Sequence, residues 1–373
     1  MIVRLLSIVI ATSIVVLLVG CNDQLNMEDA SIPLAIGVDL NKTNRFQIYS
    51  STPIFSKDIK KKSHEITGTA DSLRQSRTLQ DAQSVGTVQG RNFQVLLIGK
   101  RMLQHENWFK MLDVLFRDAR NTVTDRVIAV DGNVSEIIYL NPDDQPSLPL
   151  LLRGMVDSSS MVSETVKTTV HELHRQMYEK GMTPYISEVQ VKNKKIILIG
   201  TTLLDHKGKY AASLGTEDSI FLNMLQKNAK PGVSISLKIP DVPKTGPFDT
   251  NYLSFTAGKI STKIKTSYVN NKFNFTIKIK TSVGLSEHFF PTDAPAQVKE
   301  LEKQISAQMQ KKLEKVIKML QLHKIDPIGL GLYARAHEYQ AYQKVEDHWG
   351  DALANANINV SVDIKIVTLG PVK

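Results

Sequence analysis

Apolar residues recur along this chain in three rhythms, and each predicts a different kind of element. Residues 5–19 form an almost unbroken apolar run behind a single basic residue, Arg4. From 31 to 182 short apolar runs alternate with stretches of three-to-four spacing. The segment 32–40 reads as a strand, 41–44 as a turn and 46–53 as a second strand. Residues 57–63 are charged and read as a loop, and 71–85 have helical character with Leu73 and Leu79 as apolar points. The run FQVLLI at 93–98 is continuous and bounded by Gly99, the mark of a strand buried on both faces. Trp108, Met111, Leu112, Leu115 and Phe116 give one apolar helical face. A strand at 127–130 and a short helix at 134–140 follow. Residues 141–149, interrupted by Pro142, Pro146 and Pro149, read as a surface loop, and 163–180 as a helix.

Strand character resumes at 186–191 and 195–204, with Asn193 and Lys194 as a hairpin turn. Thr216 can cap a helix carrying Ile220, Phe221, Met224 and Leu225. In the final third the period is two. Val233, Ile235, Leu237 and Ile239 alternate with polar residues, as do Ile260, Ile264 and Tyr268, then Phe273, Phe275, Ile277 and Ile279, with Asn270 and Asn271 as the turn. A long helix over 295–323 carries Leu301, Ile305, Met309, Leu313, Val316 and Leu320 on one face. Residues 326–331 break it, with Asp326 placed to cap the helix that follows. That second helix carries Tyr342, Val345, Trp349 and Leu353, and an alternating strand at 358–366 ends the pattern. The fold class is α+β: a multi-domain mixed α/β chain whose C-terminal antiparallel sheet packs on two long helices. The divisions are a signal segment at 1–20, a tether at 21–30, an N-terminal mixed α/β domain at 31–182, a middle β-rich segment with a helix at 183–231, and a C-terminal α+β domain at 232–373.

The start of the chain changes the picture most. Arg4 and the apolar run have the form of a secretory signal, and the run is short for a membrane span. It ends in Leu18, Val19, Gly20 and Cys21, which resembles the lipobox of bacterial lipoproteins. Transfer of a diacylglyceryl group to the Cys21 thiol and cleavage before it would leave a lipid-anchored chain. Cys21 is the single cysteine in 373 residues, so no internal disulfide can form. Two acyl chains suit stable anchoring, since each buried methylene contributes about 0.8 kcal/mol. The 46 basic and 37 acidic residues give a net charge of +9, which suits a body lying over anionic headgroups. The basic residues are dispersed and lack a pattern of stacking aromatics, which argues against nucleic acid as a partner.

Catalytic constellations are not evident. His171, Glu172 and His174 invite comparison with a zinc helix, but the histidines are three apart rather than four. Residues 200–209 lack phosphate-loop spacing, and Gly329 with Gly331 lacks the rest of a dinucleotide fingerprint. There is no Gly-x-Ser-x-Gly elbow, and the one cysteine is committed to lipid, which removes a cysteine nucleophile. Asp143 and Asp144 sit among prolines in the loop. The chain is expected to be no enzyme and to hold no cofactor or metal beyond the lipid on Cys21.

Several segments together resemble the C-subunit lipoproteins of spore germinant receptors. They are AIGVD at 35–39, GRNFQVLLIG at 90–99 leading to LDVLFRD at 112–118, IGTTLL at 199–204, LGTE at 214–217, and KIDPIGLG at 324–331 with Trp349. The alternating strand closing at Gly370 fits as well. Each motif is weak alone, and their order and spacing carry the resemblance, which covers nearly the whole chain after Cys21. One departure is Asn22, where the family usually has a tryptophan suited to the membrane interface. The resemblance implies a three-domain mixed α/β protein without enzymatic activity. It implies two membrane-embedded partners, the A and B subunits of the receptor, a place on the outer face of the spore inner membrane, and a role in assembly or signalling. A solute-binding lipoprotein of a transporter and a membrane-tethered hydrolase are the alternatives. The turn at 39–46, the loop at 141–149 and the segment 324–331 are candidate contact regions.

Overall fold

A computed structural model describes Arg4 and residues 29–54, 59–90, 92–119, 121–140, 144–240, 244, 246–247, 249–288 and 295–369. Cys21, Leu18, Val19 and Gly20 therefore lie outside the described residues, as do Gly370 and part of the loop at 141–149. The strands are β1 Ala30–Ser31, β2 Ala35–Leu40, β3 Phe46–Pro53, β4 Ser63–Thr69, β5 Thr87–Val88, β6 Val95–Gly99 and β7 Arg126–Val130, followed by β8 Tyr185–Lys192, β9 Lys195–Leu204, β10 Tyr210–Gly215, β11 Val233–Lys238, β12 Tyr252–Val269, β13 Lys272–His288 and β14 Asn357–Thr368. The helices are α1 Leu73–Asp81, α2 Lys100–Leu103, α3 Asp113–Arg117, α4 Val134–Ile138, α5 Leu148–Met161 and α6 Val170–Tyr178, then α7 Thr216–Leu225, α8 Pro295–Leu322, α9 Leu330–His337, α10 Tyr339–Gln343 and α11 Trp349–Ala354.

Eight strands form one mixed sheet in the order β10-β9-β8-β7-β6-β2-β3-β4. Its centre is parallel: β2 with β6, β6 with β7, and β7 with β8. Antiparallel pairs complete both sides. The continuous apolar run in β6 has a direct cause. Leu96 and Ile98 face a core built with α2, α6 and Trp108, while Val95 and Leu97 face a second core built with α4 and α5. A strand covered on both faces has no polar side to show. Tight turns follow the asparagines. Asn193 and Lys194 (φ 52° and 59°) and Asn270 and Asn271 (φ 52° and 58°) take the left-handed conformations of two-residue hairpins.

The second sheet has the order β11-β12-β13-β14 and packs one face on α8 and on α9–α11. Phe255, Phe275, Ile277, Ile279 and Val360 meet Leu301, Ile305, Met309, Leu313 and Val316 across this core. The α+β class stands, with two refinements. Strands β11–β13 are antiparallel, but β14 joins β13 in parallel. The chain leaves β13, crosses through the helices and returns at the same end, as a parallel pair requires. The alternation of β14 reflects its one open face, which says nothing of its direction. The second long helix is a string of α9, α10, a 3-10 turn at Glu346–His348 and α11.

The segment 183–231 is divided between the two halves. Its strands β8–β10 extend the first sheet, while α7 is buried in the core of the second, together with Leu203 and Val166. Strand β4 fills the stretch between the charged loop at 57–63 and the helix, to which the sequence pattern assigned no element. Residues 163–180 hold only the shorter α6, and the preceding α5 starts at Leu148 with Pro149 in its first turn, a position that tolerates proline. Thr216 is the first residue of α7, behind an N-cap at Gly215 that makes no side-chain bond.

Leu313 is fully buried between α8 and the second sheet. Leu313→Ala is expected to destabilise the fold by about 2–5 kcal/mol, read as a lower urea midpoint at unchanged slope; an unmoved midpoint would show that this core is not what holds the helix.

Candidate functional site

Three groups of polar residues are assembled from distant parts of the chain. The first lies at the carboxyl ends of the parallel strands, where α/β sheets bring chemistry-bearing side chains together. Asp39, at the end of β2, is buried; its Oδ1 accepts from the Leu40 N–H at 2.8 Å and its Oδ2 from the Val134 N–H at 3.2 Å. Burial raises its carboxyl above the usual value, against the pull of these donors and of Arg101. Gly99 exists for Asp39: a Cβ there would stand 2.1 Å from Asp39 Oδ1. Two motifs, 35–39 and 90–99, are thus one interaction. Beside it Lys100 Nζ lies 3.1 Å from both Asp131 and Glu188 and 4.7 Å from the centre of the Tyr210 ring. Burial disfavours the Lys100 ammonium, but Glu188 and Asp131 outweigh it and raise its pKa. Glu188 is 1% exposed, and its Oε2 has no partner among the described residues. Lys100 serves both carboxylates at once and ties the strand ends together.

The second group joins the two halves. Asp326 is buried in the turn after α8, where Oδ1 accepts from the Gly329 N–H and Oδ2 from the Gly331 N–H and Trp349 Nε1, each at 2.8 Å. Its backbone exchanges two bonds with Thr183 at 2.9 Å. Burial raises the Asp326 carboxyl, and the four donor contacts, from Gly331, Trp349, Leu330 and Gly329, oppose it. Gly181 and Gly331 meet back to back, since a Cβ on Gly331 would lie 2.6 Å from Gly181 O and 2.8 Å from Trp349 Nε1. Arg335 adds a two-pronged bond to Glu179 at 2.8 and 3.1 Å, and Lys180 reaches Glu346 at 2.8 Å. Gly181 N–H and Arg335 hold the Glu179 carboxyl below its usual value in spite of partial burial. Asp326 caps α9 as its position suggests, and also gathers Trp349 and Thr183, which spacing alone did not reveal.

The third is a crevice of about 590 Å³ between α6, the end of α5 and the turn after α7, lined by Lys167, Arg175, Tyr185, Asn223 and Lys230. Asn223 Nδ2 reaches the carbonyls of Ser163 and Thr165, both at 3.1 Å, which fixes the crevice floor. Arg126 on β7 pairs with Asp157 on α5 at 2.7 Å. Next to Arg126, Asp125 is buried and accepts from Thr122 Oγ1 at 3.0 Å, and burial pushes its carboxyl up to about 6.

The remaining candidates are accounted for by contacts. Glu172 forms a capping box with Thr169, and His174 packs on Phe116 and Tyr178, so neither is arranged as a metal ligand. Among the described residues no group of His, Cys, Asp and Glu could hold a metal ion. No described helix is long and apolar enough to cross a membrane. The turn at 41–44 is closed by Asn41, whose Oδ1 accepts from Thr43 and Arg45. Glu188 and Lys100 escaped notice in the sequence, although a carboxylate inside an apolar strand is a signal of a buried pair.

Comparison with known proteins agrees with this architecture. Residues 23–191 match the spore germination protein N-terminal domain, and 199–370 match the family described as spore germination B3/GerAC like, C-terminal. Spore germination protein A3 of Bacillus subtilis (strain 168) is 21% identical over 99% of this chain and 98% of its own length. Spore germination protein B3 of the same organism is 22% identical over 75% and 74%. Spore germination protein GerQC of Bacillus cereus is 20% identical over 77% of each. The crystal structure of the GerBC protein superposes with a TM-score of 0.58 at 17% identity, covering 89% of this chain and 96% of that one, and so shares its fold. The chain belongs to the GerAC family of spore germination proteins.

Two outcomes follow from these groups. Trp349→Phe leaves Asp326 Oδ2 with one donor fewer and is expected to cost about 1.5–3 kcal/mol in urea unfolding; an unchanged midpoint would remove the bond from the junction. In the folded state Asp125 keeps its proton to about pH 6, whereas the unfolded chain releases it near 3.8. The stability from this group is full below about pH 4 and lost as pH rises through about 6. Asp125→Asn keeps an acceptor for Thr122 and is expected to be the more stable form at pH 7, with the difference shrinking by pH 4; equal pH profiles would count against it.

Proposed function

We propose that this chain is the lipid-anchored, non-catalytic C subunit of a nutrient germinant receptor, held through Cys21 on the outer face of the spore inner membrane. There it would serve the assembly or signalling of a complex with the membrane-embedded A and B subunits. The observation that carries this is the match to both halves of the family, 23–191 and 199–370, directly behind the lipobox-like Leu18, Val19, Gly20 and Cys21. A plain physical role accompanies it. The tether from Cys21 to Asp29, fully extended, reaches at most roughly 30 Å. Confinement to so thin a layer raises the effective concentration of the folded body beside its partners, so a modest interface suffices for assembly. The polar groups described above are tied to one another and support a binding and scaffolding role rather than acid–base chemistry. The two unlike sheets also favour this reading over a solute-binding lipoprotein, which would pair two similar parallel lobes.

The test is co-purification of a C-terminally tagged chain from spore inner membranes, with mass spectrometry of its partners and of the N-terminal peptide. Recovery of a diacylated Cys21 peptide with two multi-spanning receptor subunits is expected. Cys21→Ala should lose most of that recovery and impair germination. An unmodified Cys21, or transporter ATPase components in place of the receptor subunits, would overturn the proposal.

A further inference from the structure

The C-terminal sheet covers one face with helices and leaves the other open. Along β12 and β13, 18 and 17 residues long, the open face is polar from the central bulge to Ser267, with Val269 the one apolar residue before the hairpin turn. At about 3.3 Å per residue the strands are on the order of 55 Å long, and the part from the bulge to the turn on the order of 30 Å. Lys259, Lys263, Lys265, Lys278, Lys280 and, from β14, Lys365 are exposed on it. The register sets Lys263 directly opposite Lys278. Like charges in that position repel and weaken a sheet, and fold stability gives no reason for the pair. Lys280 is matched by Asp363 on β14 at 2.9 Å. Among the described residues Lys263, Lys265 and Lys278 have no acidic partner.

The residues between the lysines decide what such a face can meet. Ser261, Ser267, Thr276 and Ser361 separate them; of the exposed apolar side chains, Tyr252 and Val367 stand at the end remote from the hairpin turn and Val269 stands singly beside it. A protein interface would show aromatic residues at its centre and a depletion of lysine. Single-stranded nucleic acid would call for aromatic stacking platforms. A layer of anionic headgroups asks only for dense, unneutralised positive charge on a broad surface.

We propose that the open lysine face of the C-terminal sheet lies against the anionic headgroups of the membrane to which Cys21 tethers the chain. This rests on the tethering proposed above and adds a second, electrostatic contact that sets the orientation of the body. The two signals are complementary. The lipid supplies residence at the membrane, and the lysines act only within a Debye length of about 8 Å of its surface. Each lysine near an anionic surface adds about fivefold to partitioning.

The experiment uses the mature chain from Asn22, without lipid, in co-sedimentation with vesicles of phosphatidylcholine alone or containing phosphatidylglycerol. Binding to the phosphatidylglycerol vesicles alone is expected, weakening steeply with added salt. The combined Lys263→Gln, Lys265→Gln, Lys278→Gln and Lys280→Gln variant should bind at least tenfold less, while its melting temperature is unchanged or higher because the Lys263–Lys278 repulsion is gone. Lys278→Gln alone should lose about fivefold, which keeps the test open should the combined variant fold poorly. Equal binding to both vesicle types, or binding unmoved by these substitutions, overturns the proposal. So does a combined variant that keeps vesicle binding and loses the multi-spanning subunits, for then the face meets protein. Loss of the proposal in this assay leaves the tethering intact, because that is read from the diacylated Cys21 peptide in spores.

Discussion

Asp326 brings a carboxylate into a wholly buried position, and the junction between the two halves of the molecule is organised around satisfying it. An isolated buried charge costs several kcal/mol even after relaxation. Here the cost is offset by the N–H groups of Gly329 and Gly331 at the start of α9 and by Trp349 Nε1. The consequences extend outward. α8 must end where it does, α9 must begin with glycines, and α11 must present Trp349 at one point. The same residue's backbone grips Thr183, at the entrance to β8. Gly181 and Gly331 can touch only because neither carries a Cβ. Exposed pairs such as Lys180–Glu346 cross the same junction, but pairs of that kind contribute little beside a satisfied buried carboxylate.

A related economy operates at the strand ends of the first sheet. Asp39 fills the volume a side chain at Gly99 would need, and its oxygens hold the chain at Leu40 and Val134. Lys100 then neutralises Glu188, which β8 carries into the interior. In both places a carboxylate binds backbone segments that belong to different units of secondary structure. The family motifs mark these joints, which is a reason for their order along the chain to be more informative than any one of them. The two halves differ in what they leave to solvent. The first sheet is covered on both faces at its centre, whereas the second presents an open face crowded with like charge.

Much of the fold was legible because burial imposes a period. The run at 93–98 announced a doubly covered strand, the alternation at 273–279 a half-covered one, and the three-to-four spacing at 301–320 a helix on a sheet. Asn193, Lys194, Asn270 and Asn271 marked hairpins because their conformations are expensive for most residues. Strand β4 was missed because SHEITGT carries little apolar signal at the sheet's edge. Helix α5 was hidden by Pro149, which its first turn tolerates, and by the prolines just before it. The segment 183–231 was assigned as one unit because local pattern cannot tell which core an element joins. Of the candidate site, Asp326 was visible as a helix cap, while Lys100 and Glu188, 88 residues apart, were not visible as a pair.

By itself, the sequence determined the secondary-structure rhythm, the two-sided and one-sided character of the sheets and the family, since each rests on residues adjacent in the chain or spaced by a regular period. Tertiary structure alone decided that β14 runs parallel to β13, that α7 joins Leu203 and Leu214 of the first sheet to the core of the second, that Gly99 answers to Asp39, and that Lys263 faces Lys278. Those depend on register and on long-range closure of the chain. The free energy that selects among registers is the packing of whole faces against one another, and no short stretch of sequence contains it.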